Sequence, residues 1–287
     1  MTYSIVARDP ETGELGVAVQ SCYYQVGPVV PWGQAGVGVV ATQSMVNIAF
    51  GPAGVELMRL GSGARQALDA VLAGDPQRDS RQCAMVDAAG GVAVHTGPRC
   101  IAEAGHASGD GYSVQANLME RDTVWAAMAA AYEAAGGPLA ERLLAALDAA
   151  EAEGGDVRGR QSAAMLVLSG RPTGRAWEDK PIDLRVEDHP DPLAELRRLL
   201  RYRRAYQAAA AGGAEAHRRA LAIAPEIPQL RFFAGLALAE AGEWEEALVQ
   251  FRSAVRAEPR WELVLPRLVA AGRVTAELAA EVESRLR

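Results

Sequence analysis

Cysteine is scarce in this chain of 287 residues: Cys22, Cys83 and Cys100 are the only three. They form no paired framework, which argues against a disulfide scaffold and suits a reducing compartment. No run of about 18 apolar residues occurs, and the N-terminus lacks the basic-then-apolar layout of a secretory signal. The expectation is therefore a cytosolic protein with no membrane role. The Gly-x-Ser-x-Gly elbow is missing as well, which disfavours a serine hydrolase of that type. Positive charge is not in surplus, since the net charge is -7. Residues 1–180 carry 13 basic and 20 acidic side chains and residues 181–287 carry 16 of each. An acidic part followed by a neutral one makes no electrostatic case for nucleic acid. Arg197, Arg198, Arg201, Arg203 and Arg204 cluster on a predicted helix and read as a solvated or salt-bridged face.

What is present is an ordinary globular composition, 49% hydrophobic and 23% charged, enough for one large core or two domains. The chain opens on an alternating stretch, Thr2 to Arg8, with Tyr3, Ile5 and Ala7 on one face and Thr2, Ser4 and Val6 on the other. Asp9 to Glu14 supplies the Asp, Pro and Gly of a turn, and Leu15 to Ser21 reads as the returning strand of a hairpin. Removal of Met1, common before a small residue, would leave Thr2 with a hydroxyl and a free α-amine on one framework. That pairing lets an N-terminal threonine act as a nucleophile without a histidine. An α-amine has a reference pKa of about 7.7 to 8.0, so a useful fraction is unprotonated near neutrality. Retaining Met1 would abolish this chemistry, because an amide nitrogen is not basic.

Further strands are expected at Val29 to Trp32 and Val37 to Thr42. Gly36-Val37-Gly38-Val39-Val40-Ala41 matches the glycine spacing of dinucleotide-binding folds, but its second glycine leads into β-branched residues instead of a helix, and the motif is rejected. Helices are predicted over Pro52 to Leu60 and over Ala64 to Ala73, the second capped by Ser62. A second hairpin spans Arg81 to Val86 and Val92 to Thr96. The glycine-rich passage Gly105 to Gly111 precedes a short strand ending near Asn117. Two long helices, Asp122 to Ala135 and Pro138 to Glu153, precede a polar loop from Gly154 to Arg160 and a strand over Ala163 to Leu168. This order suits an α+β arrangement with helices outside and sheets inside.

From Asp191 the pattern is helical throughout. Gly235, Gly242, Ala247, Phe251, Ala254 and Pro259 occupy the small, aromatic and terminating positions of a tetratricopeptide hairpin, and Ala220 and Pro225 recur one period of about 34 residues earlier. Leu238 and Arg231 stand where the usual tyrosine and tryptophan would be. So few repeats rarely stand alone, so this block is expected to pack on the first domain or a second subunit, with a homo-oligomer and a protein partner as corollaries.

Several stretches together resemble the bacterial family known as domain of unknown function 1028. They are Thr2 to Asp9, Gly16 to Val19, Val30-Pro31-Trp32, Ala35 to Gly38, Ala41-Thr42-Gln43, Ala104-Gly105-His106, Gly154-Gly155-Asp156 and Arg158 to Ser162. The resemblance covers about two thirds of the chain and, because that family is grouped with the N-terminal nucleophile hydrolases, implies a four-layer αββα sandwich over residues 1–188. A small all-α helical-repeat domain over 189–287 would follow. The resemblance also supports Thr2 as nucleophile. Two features depart from the pattern: threonine-type members of the wider superfamily often place a lysine beside the nucleophile, whereas the single lysine here is Lys180, and the helical block replaces a module related to peptidoglycan binding.

Acyl transfer needs donors aimed at the developing oxyanion. Gln43, Asn117 and Ser162 are candidates by their positions at strand ends or loops, with ordinary turn satisfaction as the alternative. Asp156, Arg158 and Arg160 could bind a substrate carboxylate or orient the amine, or form a surface ion-pair loop. His95, Cys100 and His106 are the sole His/Cys cluster, but their spacing matches no tight ligand pair, and no metal or cofactor is expected. The reading is an amidohydrolase acting on a small amide or short peptide through Thr2. The rival is a non-catalytic scaffold that recruits a partner through its helical repeat.

Overall fold

The computed structural model describes residues 2–287, and the chain divides into two compact units between Arg197 and Arg198. In the first unit the alternating stretches become strands β1 (Thr2–Arg8), β2 (Leu15–Ser21), β3 (Pro31–Gln34), β4 (Gly38–Ser44), β5 (Arg81–Asp87), β6 (Val92–Thr96), β7 (Gly105–Gly109), β8 (Tyr112–Asn117), β9 (Ser162–Leu168) and β10 (Ile182–Val186). They form a six-stranded sheet in the order β10-β9-β2-β1-β8-β7 and a four-stranded sheet in the order β3-β4-β5-β6. All pairings are antiparallel.

The sheets pack inner face to inner face, burying Val6, Val17, Val19, Val39, Val86 and Leu166 in one cluster. Helices α1 (Phe50–Arg59) and α2 (Ala64–Ala73) cover the outside of the smaller sheet, and α3 (Val124–Ala134) and α4 (Leu139–Ala152) cover the larger one. Strands buried on both faces need apolar residues at nearly every position, which is why β1, β2 and β9 read as almost continuous hydrophobic runs.

Three local expectations change. The cap of α2 is Gly63, not Ser62: the Gly63 N–H donates to the Gln66 side chain, and Asp87 at the end of β5 accepts from the Ala64 N–H at 2.9 Å. Gly105 to Gly109 is an edge strand, not merely a lead-in, and a side chain at Gly105 would collide with the Trp125 indole. Strand β10 goes unforeseen because it is short and exposes Asp183 and Arg185. The rejected glycine motif does run into a strand, with Val39 to Ala41 inside β4.

Helix α5 (Pro192–Ala209) runs across the division, and the second unit continues with α6 (Gly213–Ile223), α7 (Pro228–Glu240), α8 (Trp244–Ala257), α9 (Val264–Ala270) and α10 (Ala276–Leu286). Phe232, Phe251 and Trp261 make its aromatic centre. Helices α7 and α8 pack closely because Gly235 has no side chain: a Cβ there would lie 3.0 Å from the Phe251 ring.

Candidate active site

Strand register collects hydroxyl and amide side chains at one end of the six-stranded sheet. Thr2 on β1 pairs with Ser21 on β2 and with Asn117 on β8, and Ser21 pairs in turn with Ser162 on β9. Four polar residues from four adjacent strands therefore stand in one row. Alternation turns Thr2 and Ser4 toward the other sheet, while Tyr3 points to the helix layer, where its hydroxyl donates to Glu151 at 2.5 Å. Burial and the Glu151 carboxylate push the Tyr3 phenol well above its usual range. The Thr2 side chain is nearly buried, and its hydroxyl donates to Ser21 Oγ at 3.1 Å. Ser21 escaped the sequence reading, although two seven-residue strands across one turn already imply that Thr2 faces Ser21.

Behind Thr2 lies a polar network between the two sheets. Gln43 on β4 accepts from Ser4 Oγ at 2.7 Å, and its amide nitrogen donates toward the Thr2 carbonyl, Gln82 Oε1 and the Gln115 carbonyl. Asn117 Nδ2 donates to the Thr2 carbonyl and to Gln82 Oε1, at 3.3 and 2.8 Å. Gln82 reaches Thr96 Oγ1 and the carbonyls of Gly105 and Ala116. Buried polar networks of this kind specify one register between layers. They also engage the hydrogens of Gln43 and Asn117, so neither amide is free in this arrangement to donate to an oxyanion. Ser162 is engaged too, donating to the Tyr23 carbonyl at 2.5 Å and accepting from the Val26 N–H at 3.1 Å. These three residues brace β1 and the loop that carries Tyr23.

Asp156 sits beside this row. Its buried carboxylate accepts from the Cys22 N–H at 3.3 Å, just after Ser21, and takes the Arg158 guanidinium at 2.7 and 3.0 Å. The bond to Asp156 raises the Arg158 pKa further. Arg160 goes elsewhere, pairing with Glu151 at 3.1 Å and Asp191 at 3.7 Å. Of the three loop residues, Asp156 and Arg158 therefore border the Thr2 row and Arg160 does not.

A cavity of about 60 Å³ opens in front of Thr2, lined also by Tyr23, Val26, Val29, Val30, Gln43, Ser44 and Val46. Three non-glycine residues among those described adopt positive φ: Gln25 (57°), Ser44 (69°) and Leu118 (55°). Ser44 lines the cavity, Gln25 precedes Val26, and Leu118 follows Asn117. Left-handed backbone at a residue with a side chain costs roughly 1–2 kcal/mol and concentrates at functional sites. One of the three thus lines the cavity, one adjoins a lining residue, and one follows the Asn117 that pairs with Thr2.

The His/Cys cluster does not converge. His95 Nε2 meets the Arg78 carbonyl at 2.9 Å, His106 Nδ1 meets Thr96 Oγ1 at 2.8 Å, and the Cys100 thiol, raised in pKa by burial, points to the Arg81 carbonyl. Among the described residues no group of three His, Cys, Asp or Glu side chains could hold a metal ion, and no helix is long and apolar enough to cross a membrane.

The model of a family of unknown function, DUF1028, matches residues 2–196. The crystal structure of protein SPO2555 from Silicibacter pomeroyi, of the same family, is 34% identical with a TM-score of 0.63, covering 74% of this chain and 87% of that one. Anbu, an ancestral β-subunit from Yersinia bercovieri, aligns over 69% of this chain and 93% of its own at 13% identity and a TM-score of 0.34, a likeness too slight to bear on function. Among curated proteins none matches.

Proposed function

This chain belongs to the DUF1028 family, and from that premise we propose that it is an amidohydrolase whose nucleophile is the Thr2 hydroxyl once Met1 has been removed. The reading takes the helix, sheet, sheet, helix order as an N-terminal nucleophile hydrolase sandwich and the α7–α8 pair as a tetratricopeptide-like hairpin for a protein partner. Met1 itself lies outside the described residues. The observation that carries the proposal is the Thr2 hydroxyl, bonded to Ser21 at the inner end of a cavity instead of packed into hydrocarbon.

In this reading the freed α-amine takes the hydroxyl proton as Thr2 Oγ1 bonds to the carbonyl carbon of an amide. The C–N bond then breaks, and the departing nitrogen receives that proton. Water next attacks the ester, passes a proton through the same amine, and releases the acid with Thr2 restored. Asn117 Oδ1, buried and without a hydrogen-bond partner, offers the amine an acceptor that would fix its direction. Gln43 and Asn117 clamp the Thr2 carbonyl and hold the residue in place. Asp156 fastens the Cys22 backbone next to Ser21, a positioning role that suits its burial.

The test combines intact mass with hydrolysis of an amide panel by the native-host protein. The chain is expected to begin at Thr2, Thr2→Ala to keep its fold and lose hydrolysis, and Thr2→Ser to retain part of it. A mature chain that keeps Met1, or a Thr2→Ala variant as active as wild type, would leave the scaffold reading in its place.

A further inference from the structure

Building on Thr2 as the nucleophile, we propose that the cavity beside it is a specificity pocket for a small, uncharged aliphatic group next to the scissile carbonyl. The substrates would then be amides of alanine-like or valine-like acyl units. The walls decide the chemistry. Tyr23, Val26, Val29, Val30 and Val46 supply an apolar lining. Of the polar lining groups, Gln43 is engaged in the inter-sheet network. Among the described residues no acidic or basic side chain lines the cavity, and the nearby Asp156 and Arg158 neutralise each other. A charged substituent placed there would lose its hydration without gaining a partner.

Volume sets the upper limit. A dry cavity of about 150 Å³ accepts a benzene ring, whereas this one measures about 60 Å³. At less than half of that volume it fits a methyl to isopropyl group but no aromatic ring. The rim explains how the group enters: Tyr23 lines the cavity yet is 54% exposed, and Met45, which precedes Val46, is 57% exposed. The wall is thus fixed at Val26 and Val30, both buried, and adjustable at the Tyr23 and Val46 side.

The experiment uses the full processed chain and a series of N-acetyl amino-acid amides carrying glycine, alanine, valine, phenylalanine, aspartate or lysine, with ammonia release as the readout. The alanine and valine members are expected to exceed the phenylalanine, aspartate and lysine members in kcat/KM by about tenfold or more, the discrimination that a small apolar pocket provides. Val46→Ala and Val29→Ala, at half-buried loop positions, should raise the phenylalanine member relative to valine. If phenylalanine or a charged member is cleaved as well as alanine while Thr2→Ala abolishes hydrolysis, the pocket inference is overturned and the nucleophile stands. Hydrolysis that survives in Thr2→Ala overturns the nucleophile and the pocket with it. A chain shown by mass to begin at Thr2 that cleaves no member overturns both.

Discussion

Two fully buried glutamines in this sandwich should respond to apolar replacement with opposite signs. Gln82 bridges the sheets: its Oε1 accepts from Gln43 and Asn117, and its nitrogen serves Thr96 Oγ1 and the carbonyls of Gly105 and Ala116. In Gln82→Leu, Gln43 still has two acceptors for its two hydrogens, the Thr2 and Gln115 carbonyls, and loses little. Asn117 Nδ2 keeps one acceptor for two hydrogens, so one donor is orphaned in the core. That orphan costs about 1–3 kcal/mol and the acceptors left behind add to it, so the expected destabilisation is about 2–4 kcal/mol. Gln20 stands in the row of Tyr3 on the helix side of the large sheet, and neither of its amide atoms has a hydrogen-bond partner. Gln20→Met keeps the length and removes the unpaired amide, so it should stabilise by roughly 1–2 kcal/mol. Urea titration followed by tryptophan fluorescence and far-UV circular dichroism reads both changes, provided the transition of the first unit is resolved from that of the second. A destabilising Gln20→Met, or a neutral Gln82→Leu, would refute this account of the network.

Other perturbations follow from the same geometry. Partial desolvation of an otherwise exposed ring, then the charges of His95 and Arg65, hold the His106 pKa below its usual value. The unfolded chain therefore binds the proton more readily, and stability should fall as pH drops below about 6.5 toward the depressed folded pKa. His106→Asn should flatten that part of a Tm-against-pH curve, and an unchanged slope would contradict the assignment. Asp156→Asn removes a buried carboxylate from Arg158 and the Cys22 N–H and should cost about 1–3 kcal/mol in a urea titration. Gly51→Ala would drive a Cβ to 2.2 Å from the Trp32 ring. Overpacking of that kind costs about 1–3 kcal/mol, and near-UV circular dichroism of the tryptophan should report the displacement.

Much of the layered unit is legible in the sequence, because β1, β2, β4, β5 and β9 carry β-branched, apolar runs and α3 and α4 repeat at helical spacing. What the sequence hides is set by neighbours distant in the chain. Gly105 to Gly109 looks like loop until β8 supplies a partner and Trp125 fills the space its first glycine leaves. Ile182 to Val186 is a strand only because β9 presents an open edge. At the site, the hairpin alone brings Thr2 opposite Ser21, whereas the partners of Gln43 and Asn117 depend on which acceptors lie across the sheet interface, and those of Ser162 on the course of the loop after β2. A position at a strand end or loop identifies these three side chains as available polar groups; that they fasten β1 and the Tyr23 loop becomes visible only in the fold. Arg160 pairs with Glu151 and Asp191, partners that its place in the loop does not identify.

The position of β1 inside the six-stranded sheet governs how the molecule must assemble. Strand β1 can pair at once with β2, but its other neighbour, β8, begins more than 100 residues later, and Thr2 and Asn117 are 115 residues apart. At about 5–20 residues per second, an edge destined for the interior stays open for roughly 5 to 20 s of synthesis. Contacts this distant also slow refolding, because the loop between them must close before any of them form. Chaperone dependence during translation, and aggregation through the open side of β1 when synthesis stalls before β8, are the biological corollaries of that topology.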